Sequence, residues 1–142
     1  MFTQTHSQMR AIAGLYQSVK VDTAVAGASP HRLVEMLFEE FLASCSRARG
    51  ALRAADVAEK GRAIARAVRI IDEGLRGGLN MKDGGALALE LHDLYGYITL
   101  RMTHANLHND EAAIAECASL VQPLYEAWRS IGPLVAAAAA AH

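Results

Sequence analysis

Apolar residues recur every three to four positions along most of this chain, in four successive runs. That period marks helices with one buried face. The first run opens at Ser29-Pro30, where a serine oxygen suits the free amides of a helix start and proline fits the first turn. Behind it Leu33, Met36, Leu37, Phe38, Phe41, Leu42 and Cys45 form the inward stripe of a helix from Pro30 to about Ala54. A second helix begins at Asp56, since Asp56-Val57-Ala58-Glu59 has the form of a capping box. Val57, Ile64, Val68, Ile71, Leu75 and Leu79 face inward, while Arg69–Glu73 and Asp72–Arg76 pair opposite charges four apart. Gly77-Gly78 weakens its end, and Asn80 to Gly85 is a loop. The third helix runs from about Ala86 to Leu107 with Leu87, Leu91, Leu94, Tyr95, Ile98, Met102 and Leu107 inward. His108-Asn109-Asp110 is a turn that caps the fourth, which buries Ile114, Cys117, Val121, Leu124, Tyr125, Trp128 and Ile131.

No strand pattern competes, and the connections are short, which favours antiparallel neighbours. The expected fold is all-α: an antiparallel up-down four-helix bundle with a short N-terminal helical segment and a flexible Ala-rich C-terminal tail. Residues 1–28 form a mobile N-terminal segment in which Ile12, Leu15, Tyr16 and Val19 have helical spacing. Residues 29–131 form the bundle, and 132–142 the tail, whose alanine run is too short to hold a helix alone. Pro123 interrupts the backbone bonding of the last helix and is expected to bend it.

A chain of 142 residues fits one domain. With 14 basic and 15 acidic residues interspersed, it has no nucleic-acid footprint. Met1 to Arg10 lacks the apolar core of a signal peptide, and the run Leu134 to Ala141 is far too short to span a bilayer. Cys45 and Cys117 fall on apolar stripes and read as reduced core residues. The expectation is therefore a cytoplasmic protein without membrane insertion.

Catalytic and cofactor readings fail on spacing. A di-iron bundle needs Glu-x-x-His on facing helices, and no histidine here has Glu or Asp three residues before it. Glu35 and Glu39 share a face, but as solvated charge. His104 and His108 are four apart and suit one metal ion, yet no third ligand accompanies them. A histidine phosphotransfer bundle needs an exposed mid-helix histidine with basic neighbours; only His104, with Arg101, comes near. These two remain the alternatives, a metal-binding and a phosphotransfer bundle. No nucleophile stands beside a base, so no enzyme, cofactor or metal site is assigned.

A series of short motifs runs through the chain in a fixed order. Tyr16, Val19, Val21 and Thr23-Ala24-Val25 lead into Ala28-Ser29-Pro30-His31-Arg32-Leu33-Val34 and Met36-Leu37-Phe38. Lys60, Ala67 to Ile71 and Glu73-Gly74-Leu75 follow. Then come Leu94-Tyr95-Gly96-Tyr97, Ala105-Asn106-Leu107-His108-Asn109-Asp110 and Ala127-Trp128. In order and spacing, from about Leu15 to Ile131, they resemble the FliS family of flagellin export chaperones. The chain departs from the family at Glu39-Glu40, at Pro123 and in the alanine tail. The resemblance implies a helical bundle that binds the C-terminal segment of flagellin in the cytoplasm. It also implies prevention of early polymerisation and support of delivery to the flagellar type III export apparatus. Export apparatus components or a flagellar regulator are further implied partners. Carried onto this chain, the partner-binding residues are Tyr16, Val19, Leu94, Tyr95, Ile98, Met102, Asn106 and Asn109. Six of them have a purely structural account beside it: a staple for Tyr16, core for Leu94, Tyr95, Ile98 and Met102, and turn or cap duty for Asn109.

Overall fold

The structure is a computed structural model that describes residues 15–16 and 27–133. Val19, the rest of the N-terminal segment, and the tail beyond Pro133 lie outside the described residues. Four helices follow one another: α1 (Pro30–Arg53), α2 (Val57–Arg69, continued by a π-helical stretch, Ile70–Arg76), α3 (Gly85–His108) and α4 (Glu111–Ser130). α1 packs against α2 and α4, and α3 packs against the same two, which closes an antiparallel four-helix bundle. Among the described residues there is no strand.

The helix starts are built as their sequences imply. The Ser29 oxygen accepts from the Arg32 amide at 3.1 Å, and Pro30 occupies the first turn. Asp56 accepts from the Glu59 amide at 3.1 Å. The reciprocal half of that capping box is not made, because the Asp56 amide donates to the Ala51 carbonyl at 2.9 Å and Glu59 binds Arg62. Asn109 ends α3 in the left-handed conformation (φ 53°), which asparagine tolerates better than most residues. Asp110 then caps α4 by accepting from Ala113 at 3.2 Å.

The core contains Val34, Phe38, Phe41, Cys45, Ile64, Ile71, Leu75, Tyr95, Ile98, Met102, Ile114 and Val121, all at most 2% exposed. Several inward expectations change. Met36 and Leu37 lie half-buried at the edge of the α1 stripe, and Val34 takes the deep position instead. Val57 is 71% exposed and Leu107 is 76% exposed. Val57 stands at the first turn of α2, where Lys60 rather than an apolar side chain enters the core edge. Leu107 lies across α3 from the inward line that ends at Ala105. The π-helical stretch was not foreseen. Its wider turn, marked by the Gly77 amide donating to the Asp72 carbonyl at 2.9 Å, shifts the stripe so that Ile70, Ile71 and Leu75 are all buried. Gly74 stands there against Leu37, whose methyls lie 3.2 Å from where a Cβ would be. Pro123 sits on the exposed side of α4, which continues through it, and Ser119, whose carbonyl it leaves without its helical donor, is exposed too.

The expected pairs on α2 are present, Arg69–Glu73 at 3.0 Å and Arg76–Asp72 at 3.5 Å. Cys45 and Cys117 are free, buried thiols, and burial pushes both up to about 12. Among the described residues no helix is long and apolar enough to cross a membrane.

Candidate partner-binding site

The bundle has a socket at the end where α1 begins, α3 begins and α4 finishes, and residues from another part of the chain fill it. Leu15 and Tyr16 are each only 3% exposed although the bundle proper starts at Pro30. The Tyr16 ring meets Trp128 edge-on at 5.2 Å and Phe38 edge-on at 6.5 Å. Its hydroxyl is hydrogen-bonded to the hydroxyl of Tyr95, itself wholly buried. The Leu15 carbonyl accepts from the Asn80 amide at 2.6 Å, and its side chain reaches Gly84. Two aromatic walls, one buried polar partner and one backbone donor thus receive a two-residue stretch of chain.

The walls are held independently of that stretch. Trp128 donates its indole N–H to the His31 carbonyl at 2.9 Å, and His31 Nε2 donates to the Trp128 carbonyl at 2.8 Å. Because a carbonyl only accepts, Nε2 carries the proton. The two rings stack at 4.7 Å, 12° from parallel. This clasp ties the start of α1 to the end of α4. Tyr125 adds a second link by donating to Glu39 at 2.9 Å. Burial pushes both phenols up, Tyr16 well above its ordinary value, with the neighbouring Tyr95 adding to the effect. Neutral hydroxyls are therefore what the socket holds.

The sequence-derived residues do not all lie together. Tyr16 and Tyr95 share the socket. Ile98 and Met102 lie further along the same face of α3, fully buried, with the Ile98 carbonyl accepting from the Cys117 thiol at 3.9 Å. Leu94 is half-buried and packs against the core. Asn106 and Asn109 stand at the opposite end of the bundle. There Lys60, only 7% exposed, donates to the Asn106 carbonyl at 2.9 Å and to Asn109 Oδ1 at 2.7 Å. Beside this clasp is a hollow of about 320 Å³, lined by Leu52, Arg53, Val57, Lys60, Asn109 and Glu111. Glu111 is bound there by Arg53 at 2.7 Å and Arg49 at 3.3 Å, and Arg53 first among them holds its carboxyl below the usual range.

Sequence reading missed three parts of this arrangement. His31 gave no signal, because its partner Trp128 is distant in sequence. Lys60 did give one: it interrupts the apolar line Val57, Ile64, Ile71. Phe38 and Trp128 were legible as core but not as walls around an inserted residue. His104 and His108 do come together, rings 4.5 Å apart, with His104 3.3 Å from Asp110. Among the described residues, no three His, Cys, Asp or Glu side chains gather to hold a metal ion.

Comparison with known proteins converges on one family. The family model described as "Flagellar protein FliS" matches residues 12–135. The chain is 45% identical over 118 residues to the flagellar secretion chaperone FliS of Salmonella typhimurium, covering 83% of this chain and 87% of that one. It is 37% identical to the flagellar secretion chaperone FliSB of Pseudomonas aeruginosa, over 82% of this chain and 91% of the relative. It is 34% identical to the FliS of Escherichia coli, over 80% and 84%. The relatives are named chaperones, and no catalytic activity is indicated. With most of its length matched by the family and a bundle of four helices beneath that match, this chain belongs to the FliS family of flagellar secretion chaperones.

Proposed function

We propose that this chain binds the C-terminal segment of flagellin in the cytoplasm, prevents its premature polymerisation and supports its delivery to the flagellar type III export apparatus. The observation that supports this most is the socket filled by Leu15–Tyr16. A site that receives one short stretch through aromatic walls and a backbone donor suits a partner's extended or amphipathic segment equally well. The built-in stretch then acts as a strap that flagellin displaces. Tyr95 becomes reachable when Tyr16 leaves, and Val19 belongs to the same strap. Leu94, Ile98 and Met102 extend the face along α3. Asn106 and Asn109 would meet the far end of a wrapped segment. Export apparatus components or a flagellar regulator are further partners of this reading.

The experiment compares the full chain, a deletion of residues 1–21 and Tyr16→Ala in kinetic binding to a flagellin C-terminal peptide. An occluding strap lowers apparent affinity by the fraction of open molecules, so the deletion associates faster if the strap only blocks. It dissociates faster if Tyr16 itself contacts the partner. Unchanged rates in both variants reduce Tyr16 to a structural staple. The peptide raises the melting temperature as RT ln(1 + [L]/Kd), whereas Zn²⁺, Fe²⁺ or Mg²⁺ leaves it in place. A metal-induced rise abolished by His104→Ala would support the metal-binding alternative instead.

A further inference from the structure

The end of α2 and the stretch that fills the socket meet in one run of backbone hydrogen bonds. Successive amides there reach back over successively shorter spans. The Gly77 amide donates to the Asp72 carbonyl at 2.9 Å, Gly78 to Gly74 at 3.0 Å, and Leu79 to Arg76 at 3.2 Å. The spans are five, four and three residues. The next amide, Asn80, donates instead to the Leu15 carbonyl at 2.6 Å. In an ordinary α turn every one of these amides would reach four residues back, and Asn80 would take the Arg76 carbonyl. Leu79 holds that carbonyl, so the strap supplies the acceptor that the wide turn withholds from Asn80.

Three local features belong to this register. A Cβ on Gly77 would stand 2.5 Å from the Glu73 carbonyl oxygen, which the Gly77 and Gly78 amides pass over. The wide turn therefore needs glycine at 77, whereas an α turn takes alanine readily. The Arg76 guanidinium lies against α3, 2.9 Å from where a Cβ on Gly96 would be, and its Nε is buried with no acceptor among the described residues. An unmet donor of this kind is a cost that the register carries. Against it stand the burial of Leu79, 5% exposed, and the bond from Asn80 to the strap.

We propose that the seated strap and the π turn are two halves of one two-state element. When Leu15 leaves, the Asn80 amide takes the Arg76 carbonyl, Leu79 moves to Leu75 and Gly77 to Glu73. The end of α2 closes into the α register, and the Arg76 guanidinium comes off Gly96. Coupling between two sites is reciprocal, so whatever fixes the π turn also tightens the strap. A partner that offers its own carbonyl to Asn80 keeps the wide turn, and one that fills only the aromatic hollow releases it. The exposed side of the stretch, with Asp72 and Glu73, thereby carries the state of the socket to the surface. The inference rests on the proposed function only in that a partner displaces the strap; the coupling belongs to the chain alone and is tested without a partner.

Scalar couplings across hydrogen bonds, measured by NMR on the full-length protein, name the carbonyl that each amide bonds. In the wild type Gly77 couples to Asp72 and Asn80 to Leu15. Leu15→Asp/Tyr16→Ala unseats the strap by placing a charge and a methyl where an aliphatic side chain and a ring were. Gly77 should then couple to Glu73, and Asn80 to Arg76. A Gly77–Asp72 coupling that persists once the Asn80–Leu15 coupling is gone would overturn the proposal. Gly77→Ala acts from the other side: its methyl selects the α register, so the Asn80–Leu15 coupling should vanish and Trp128 fluorescence should move toward that of the unseated variant. A Gly77→Ala chain that keeps the Asn80–Leu15 coupling refutes the linkage. Flagellin-peptide binding by the wild type, measured separately, decides the proposed function whatever these couplings show.

Discussion

The buried hydroxyl pair between Tyr16 and Tyr95 makes a quantitative test of how the strap is held. Both side chains are at most 3% exposed, and each hydroxyl has the other as its partner. Tyr16→Phe keeps the ring against Trp128 and Phe38 but leaves the Tyr95 hydroxyl buried without a bond. Such an orphaned group costs about 1–3 kcal/mol, whereas replacing both partners by apolar groups of like shape is nearly neutral. Tyr95→Phe should cost a similar amount for the same reason. The double variant should then lose less than the sum of the singles, by about 1 kcal/mol or more. Tyr16→Ala removes the ring as well, a change worth about 3–5 kcal/mol at a fixed core position. On the proposed reading, however, Tyr16 sits on a strap that a partner displaces. Its loss is therefore capped at the free energy with which the strap docks. Chemical denaturation of the four proteins, read by tryptophan fluorescence of Trp128 and by helical circular dichroism, supplies the cycle. Strict additivity of the two phenylalanine substitutions would show that the hydroxyls do not bond to each other in solution.

Three further outcomes follow from other contacts. Lys60→Met deletes the clasp from α2 to the end of α3, and since a hydrogen bond to a charged group is worth about 1.5–3 kcal/mol, denaturation should show a loss near 2 kcal/mol; no loss would mean the ammonium is solvated. Gly84→Ala would set a Cβ 2.5 Å from the Asn80 carbonyl and 2.5 Å from the Ala88 methyl, so the start of α3 must shift, with about 1–3 kcal/mol lost and the Leu15 seat loosened; a neutral result in thermal unfolding would contradict this packing. For pH, the raised Tyr16 and Tyr95 pKa values make the unfolded chain release these protons first, so their contribution is intact below about pH 10 and falls as pH rises above it. Glu40, held low chiefly by Arg66 and then Arg47, acts at the other end, its contribution being lost as pH falls below the ordinary carboxylate value. Stability against pH should bend at both limits, and Tyr16→Phe/Tyr95→Phe should flatten the alkaline side only.

The helices were legible because their periodicity is carried by large apolar residues and their starts by Ser29, Asp56 and Asp110, each of which caps as its residue type implies. What escaped the sequence depends on phase and on distance. A π-helical turn adds a residue to one winding, so Ile70 joins the expected Ile71, Leu75 and Leu79 in the core, which a constant period does not report. Val57 and Leu107 misled because an apolar residue near a helix end is assigned inward by type, while its direction is set by the turn beside it. The socket was only half visible. Tyr16 was singled out, but its wall is made by Phe38, Tyr95 and Trp128 from three helices, and no local pattern reports that convergence. On α3, Leu89 and Leu100 are exposed beside Leu107, because α3 bears apolar residues on both faces and periodicity alone does not say which face is covered.

The two ends of the bundle are closed by different means, and the difference bears on function. At the far end Lys60, Asn109 and the Arg53–Glu111 pair join helices through groups that belong to the bundle itself. At the socket end the core is completed by Leu15 and Tyr16, which arrive from outside it. The reciprocal His31–Trp128 clasp ties α1 to α4 through groups other than the strap, which on the proposed reading would hold the socket's shape when the strap is displaced. A strap docked by about 3 kcal/mol leaves the socket open in fewer than about one molecule in a hundred and weakens an incoming segment's apparent affinity by that factor. A much stronger strap would exclude the partner; a much weaker one would leave an aromatic hollow bare to adventitious contacts. The capped loss expected for Tyr16→Ala measures this balance directly: it reads the docking free energy that any partner of the socket must exceed.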